Sequence, residues 1–183
     1  MSIGDVLLSA RNLTVRFGGV VAVDDVSFDV RAGEVFTLIG PNGAGKTTVF
    51  NLISRIYTPT SGTIHYRGED ITGVAPHRIA SLGIARTFQN IELFEHATVL
   101  HNLLIGRHRH HANGFLHDLF FTRRTRAAEI ASRAKVEEVI DFLHLQHYRD
   151  TMVAGLPYGV RKVVELARAL ATEPKLLALD EPA

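Results

Sequence analysis

Lys46 and Thr47 close the run Gly40-Pro41-Asn42-Gly43-Ala44-Gly45-Lys46-Thr47, which fits the spacing G-x-x-x-x-G-K-[ST] of a phosphate-binding loop. Its chemistry is anion capture. Glycines let the main chain approach the phosphates, and successive N–H groups with a helix N-terminus supply the positive field. Lys46 would reach the β- and γ-phosphates, and the Thr47 hydroxyl would bind Mg²⁺. A second pair of candidates lies at the other end of the chain. Leu176-Leu177-Ala178-Leu179 is an apolar run ending in Asp180-Glu181. A buried strand can deliver an acid to a metal beside the γ-phosphate. Asp180 would hold that metal, and Glu181 would orient or deprotonate an attacking water. Two acids at a strand end are commonplace; the meaning comes from their place downstream of the loop.

These residues need elements to position them. Val35 to Ile39 is an apolar, β-prone run and reads as a buried strand leading into the loop. Val49, Leu52 and Ile53 follow at helical spacing, so Thr48 falls in the first turn of a helix. Upstream, Val6 to Phe17 and Val20 to Val30 read as two strands joined at Gly18-Gly19. Thr63 to Tyr66 reads as a strand, Arg67 to Asp70 as a turn, and Pro76 to Leu82 as a short helix with proline at its start. Ile84 to Phe88 is a strand running into Gln89. Thr98 caps a helix to Ile105. Arg124 to Leu145 is the longest helical pattern, with Ile130, Ala134, Val139, Ile140 and Leu143 as its apolar stripe. A second strong helix opens at Tyr158-Gly159, with Val163, Leu166, Ala167 and Leu170 on its apolar face. Alternation of strands and helices argues for a parallel α/β sheet behind a β-rich front.

The chain has 183 residues, 46% apolar and 21% charged, enough for a substantial core and unlike a disordered segment. A net charge of +1 gives no electrostatic footprint for nucleic acid, and the absence of Cys removes disulfide and thiol chemistry. No signal peptide is evident, and no apolar run approaches the roughly 20 residues of a membrane helix. Arg107-His108-Arg109-His110-His111 lacks the i, i+4 spacing of a helical metal pair and reads as a solvated loop. Phe115, Phe120 and Phe121 form either a docking patch or a helix face packed on the core.

Five features stand in order: Phe17, Gly40–Thr47, Gln89, Leu156-Pro157-Tyr158-Gly159-Val160, and Leu176–Glu181. This order resembles the ATP-binding domain of ABC transporters. The resemblance implies an α/β P-loop NTPase fold. Its parts are an N-terminal antiparallel β subdomain, a RecA-like parallel sheet core (incomplete in this chain) and a helical subdomain. Residues 1–183 then form one domain lacking its C-terminal part. Approximately 1–88 and 165–183 belong to the core, and approximately 89–164 to the Gln89 loop and the helical subdomain. Phe17 would stack on adenine; in an apolar strand it could equally be core. Gly40, Pro41, Asn42, Gly43, Ala44, Gly45, Lys46, Thr47 and Thr48 would bind ATP. Gln89 would contact Mg²⁺ and water and signal to a membrane subunit, although by itself it reads as a loop residue. Leu156, Pro157, Tyr158 and Gly159 would contact ATP held by the opposite protomer; their other reading is a plain helix start. The metal set would be Thr47, Gln89 and Asp180, and the catalytic set Glu181 and Gln89.

Val15-Arg16-Phe17-Gly18-Gly19-Val20-Val21-Ala22-Val23, Arg86-Thr87-Phe88-Gln89-Asn90-Ile91-Glu92-Leu93-Phe94 and Leu-Pro-Tyr-Gly at 156–159 are similar to one branch, the ATP-binding subunits of bacterial importers for branched-chain amino acids. Urea and lipopolysaccharide-export ATPases are neighbouring branches. The branch implies ATP and Mg²⁺ as cofactors, a second ATP-binding subunit, integral membrane permeases, and, indirectly, a periplasmic solute-binding protein. It implies no nucleic acid, and a location on the cytoplasmic face of the inner membrane. Pro157 stands where the family pattern has a serine. It lacks hydroxyl and N–H, which removes one charge-assisted hydrogen bond worth ~1.5–3 kcal/mol. The family pattern also continues beyond Ala183, with a strand and a γ-phosphate-sensing histidine. The resemblance therefore leads us to expect a fragment that binds nucleotide and hydrolyses it poorly. A soluble ABC protein acting on ribosomes is disfavoured by the neutral charge and single loop. A GTPase is disfavoured by the lack of Asn-Lys-x-Asp.

Overall fold

The computed structural model describes residues 2–87, 92–107 and 123–180. They gather into two compact units, Met1–Leu82 and Gly83–Ala183.

In the first unit, β1 (Val6–Phe17) and β2 (Val20–Arg31) form a long hairpin. The helix α1 (Lys46–Ile53) follows, then β3 (Ser61–Tyr66), β4 (Glu69–Asp70) and α2 (Pro76–Leu82). The sheet is antiparallel with order β2-β1-β3-β4. Leu8, Ala10, Leu13 and Val15 of β1 are buried. Strict alternation breaks at a register shift between Ala10 and Leu13, where Asn12 takes a positive φ of 49°. Its main-chain N–H donates to Ser27 Oγ at 2.8 Å and its Nδ2 to Asp25 Oδ1 at 2.7 Å, so side chains replace the lost ladder bonds. The antiparallel front expected from the sequence is present. Residues 69–70, read as a turn, add a two-residue strand to its edge.

One expected element does not form. Residues 35–39, read as a buried strand, belong to neither sheet. Val35 is 93% and Ile39 88% exposed. Phe36 stacks on Phe28 of β2 with ring centroids 5.2 Å apart. An apolar, β-branched run carries a preference for a half-buried ladder position, but the ladder needs a paired neighbour. Among the described residues the run has none.

The second unit contains β5 (Ile84–Arg86), α3 (Val99–Gly106), α4 (Arg123–Phe142), α5 (Tyr158–Ala171) and β6 (Leu176–Ala178). Single 3-10 turns at Gln146–Tyr148 and Val153–Gly155 link α4 to α5. β5 and β6 pair in parallel, Ile84 with Leu176 and Arg86 with Ala178. The helices close around Val99, Leu103, Val136, Ile140, Val153, Val164, Ala167 and Ala171. Two stripes differ from expectation. On α4, Ile130 is 60% exposed and Ala134 is exposed, while Ser132, Val136, Val139 and Ile140 are buried. Residue 130 is nine positions before 139, about 180° away around a helix, so both cannot face one core. On α5, Val164 rather than Leu166 joins the core, beside Ala167 and Ala171. Fully buried Asn102 staples residues 94–98 to α3. Its Oδ1 accepts from Phe94 N at 2.9 Å, and its Nδ2 donates to Phe94 O at 3.1 Å and Thr98 O at 3.0 Å. Among the described residues no helix is long and apolar enough to cross a membrane.

Candidate functional site

The candidate phosphate loop, residues 40–47, lies in the first unit. Gly45 caps α1 with φ 83° and ψ 8°, and no side chain caps the helix. The first-turn N–H groups have no acceptor within the helix by geometry. Gly43 also has φ 83°. A Cβ on Gly45 would meet Ala22 O at 2.4 Å, so the loop packs directly against the main chain of β2. Lys46 Nζ donates to Gly40 O at 2.7 Å and Pro41 O at 2.8 Å. The ammonium is thereby held over the loop's own carbonyls by two of its three N–H groups. Asn42, Gly43, Ala44 and Thr47 are exposed, and Thr48 is half-buried. An uncapped helix end, a glycine cradle, a cation and an exposed hydroxyl together suit a polyphosphate, and the hydroxyl oxygen suits Mg²⁺.

Phe17 ends β1 beside the hairpin turn, paired with Val20. Its ring is half exposed and packs edge-on against Tyr57, with centroids 5.0 Å apart and planes at 72°. The segment carrying Tyr57 is tied to β1: Thr60 N donates to Thr14 O at 2.8 Å, and Arg16 N donates to Thr60 Oγ1 at 3.1 Å. Phe17 is therefore not core, and Tyr57, absent from the sequence reading, is its neighbour. Nothing in the spacing of residues 17 and 57 announces that contact.

The second unit carries Asp180, two residues past β6. The carboxylate is 5% exposed and accepts from Arg86 Nη2 at 2.9 Å; the Arg86 side chain is 6% exposed. Thr87 N donates to Ala178 O at 3.0 Å, and Asp180 N donates to Thr87 Oγ1 at 3.4 Å. No local sequence pattern marks Arg86 as the partner of Asp180, because the two are far apart along the chain. Glu181 and Gln89 lie outside the described residues, as do His108 to His111, Phe115, Phe120 and Phe121. Arg107, read as part of a solvated loop, is buried. It donates from Nη1 to Ala171 O at 2.9 Å and to Glu173 Oε2 at 3.0 Å, closing the C-terminal ends of α3 and α5 together.

Leu156 is buried in the helical core, whereas Pro157, Tyr158 and Gly159 are exposed at the start of α5. Pro157 is the N-cap and offers no side-chain bond, so the helix end stays open. Arg161 fastens the preceding turn, donating to Leu156 O at 3.1 Å and Ala154 O at 2.8 Å. Lys162 Nζ lies 5.7 Å from the Tyr158 ring centroid.

Residues 23–183 match the family described as ABC transporter. The chain is 42% identical over 177 residues to the high-affinity branched-chain amino acid transport ATP-binding protein BraF of Pseudomonas aeruginosa, covering 97% of this chain and 69% of that protein. It is 39% identical to LivG of Escherichia coli, which carries the same description, with the same two coverages. A nucleotide-free ATP-binding cassette from an ABC transporter superposes with TM-score 0.79 at 35% identity, over 97% of this chain and 70% of that one. Another cassette, solved in its ADP conformation, gives TM-score 0.79 at 34% identity, over 97% and 69%. With the glycine cradle, the open helix end and the parallel strand pair that leads to Asp180, these likenesses place the chain in the ABC transporter family, as an ATP-binding subunit of the ATPase type.

Proposed function

We propose that this chain is the energy-coupling ATPase subunit of an importer for branched-chain amino acids. The observation carrying the reading is the loop at 40–47: a glycine-built cradle at an uncapped helix end with Lys46 held across it. The transport descriptions of BraF and LivG supply the solute. Lys46 and the main chain of Gly40 to Thr48 hold the ATP phosphates, and Phe17 takes the adenine. Leu156, Pro157, Tyr158 and Gly159 serve the ATP of a second subunit, where the open N-terminus of α5 attracts negative charge. Thr47, Gln89 and Asp180 would hold Mg²⁺ through oxygen, and the ion would neutralise charge on the phosphate oxygens. Glu181 orients or deprotonates the attacking water, and Gln89 contacts the metal and that water.

The core comprises approximately 1–88 and 165–183, and the helical subdomain approximately 89–164. The partners are a second ATP-binding subunit, integral permeases and, through them, a periplasmic solute-binding protein. The subunit works on the cytoplasmic face of the inner membrane. Titration with a fluorescent ATP analogue tests the central claim. A lysine–phosphate bond is worth ~1.5–3 kcal/mol, so Lys46→Ala lowers affinity at least about ten-fold and abolishes any phosphate release. Equal binding by the two proteins would overturn the reading.

A further inference from the structure

Arg86 and Asp180 are both nearly inaccessible, and they bond to each other through Nη2 and Oδ2 at 2.9 Å. A buried ion pair is weak grounds for stability, because two apolar side chains of the same volume serve at least as well. Its presence here calls for a geometric reason. Asp180 is tied twice, to Arg86 at the end of β5 and to Thr87 just after it. Its carboxylate bonds Arg86, and its main-chain N–H bonds Thr87 Oγ1, while Thr87 N continues the parallel ladder to Ala178 O. Arg86 sits opposite Ala178 in that ladder, so the guanidinium approaches from a strand of known register. An arginine fork is planar and directional, unlike the point charge of a lysine, and it bonds one oxygen of the carboxylate. The chain leaves this node two residues before Gln89 on one side and one residue before Glu181 on the other.

We propose that Arg86 is a positioning residue for Asp180. Its guanidinium fixes the orientation of the carboxylate that receives the metal and fastens together the starts of the segments bearing Gln89 and Glu181. This rests on the ATP-binding reading above. It assigns Arg86 no contact with nucleotide or metal.

The probe is a fluorescent, non-hydrolysable ATP analogue, titrated onto the full chain in excess Mn²⁺ and again in EDTA. The unmutated chain binds it more tightly with Mn²⁺. Arg86→Met loses at least five-fold of affinity in Mn²⁺ and stays within two-fold of the unmutated chain in EDTA. Arg86→Lys, which keeps the charge but not the fork, regains the melting temperature without regaining the Mn²⁺-dependent affinity. If Arg86→Met does not fold, Arg86→Lys decides alone. The proposal is overturned if the folded variants keep the Mn²⁺ gain within two-fold, if affinity falls equally in EDTA, or if the unmutated chain shows no Mn²⁺ gain. An unmutated chain that binds no analogue in either condition overturns the ATP-binding reading, and this inference with it.

Discussion

At the scale of single residues, the loop glycines have unequal jobs. Gly43 and Gly45 share φ 83°, a conformation that strains any L side chain. A Cβ on Gly43 would meet nothing within 4 Å, whereas on Gly45 it would meet Ala22 O at 2.4 Å. Left-handed strain alone costs ~1–3 kcal/mol. Gly43→Ala is therefore expected to lose about that much stability, and Gly45→Ala more, because the loop must also move off β2. Urea denaturation of both variants checks the order, and equal losses would contradict the packing argument. The same scale shows what was legible early. Gly40 to Thr47 announced itself because its function needs particular residue types at fixed spacing along one stretch of chain. Arg86 and Tyr57 did not, because each acts on a partner far away in sequence. An arginine before a threonine, or a tyrosine after a helix, has no local pattern to read.

At the scale of elements, caps and turns were readable and faces less so. Thr98 was read as the start of a helix. It has extended ψ of 165°, and its side chain accepts from His101 N at the head of α3. Thr98→Ala removes that acceptor and leaves an orphan donor, for a loss of about 1 kcal/mol. A fall in melting temperature, with no change in nucleotide affinity, is the expected outcome. Proline at the start of α2 and Pro157 before α5 were equally plain, since a fixed φ and a missing N–H act within one turn. The stripe of α4 was misplaced because Ile130 and Ala134 satisfy the i, i+4 rule between themselves. Val139 and Ile140 of that stripe are covered as expected, and only the neighbouring helices reveal that Val136, not Ile130 or Ala134, completes the face. Arg107 was misread for a similar reason. A basic residue beside histidines looks solvated until the carbonyl of Ala171 and the carboxylate of Glu173 are brought to it.

For the whole molecule, acid is the informative variable. Asp70 is held below the usual carboxylate range by hydrogen bonds from Thr72, whose main-chain N–H donates to Oδ1 at 2.7 Å. Asp29 is lowered by its hydrogen bond from Arg11. A carboxylate whose pKa is depressed by folding contributes stability that is present above its unfolded pKa. That contribution is lost as the pH falls through the folded value. Protonating 19 acids and 10 histidines also turns a net charge of +1 strongly positive, adding self-repulsion. Asp70→Asn, which can still accept from Thr72 but carries no charge, is expected to melt below the unmutated chain at neutral pH. The two melting temperatures should converge in strong acid, and a gap persisting there would contradict the assignment.

The amino-acid sequence by itself determined the candidate phosphate loop, the β1–β2 hairpin, the order of the other strands and helices apart from residues 35–39 and 69–70, and the family these features resemble. All of them rest on residues close together along the chain, or on motifs in a fixed order. Tertiary structure decided three other things. Residues 35–39 find no ladder partner among the described residues. Phe17 lies against Tyr57 instead of in the core. Asp180 is bonded to Arg86. The physical reason is common to the three. Local sequence sets what a residue can do, through its φ, its donors and its apolar area. Which group it does this with depends on contacts that exist only after the chain has folded.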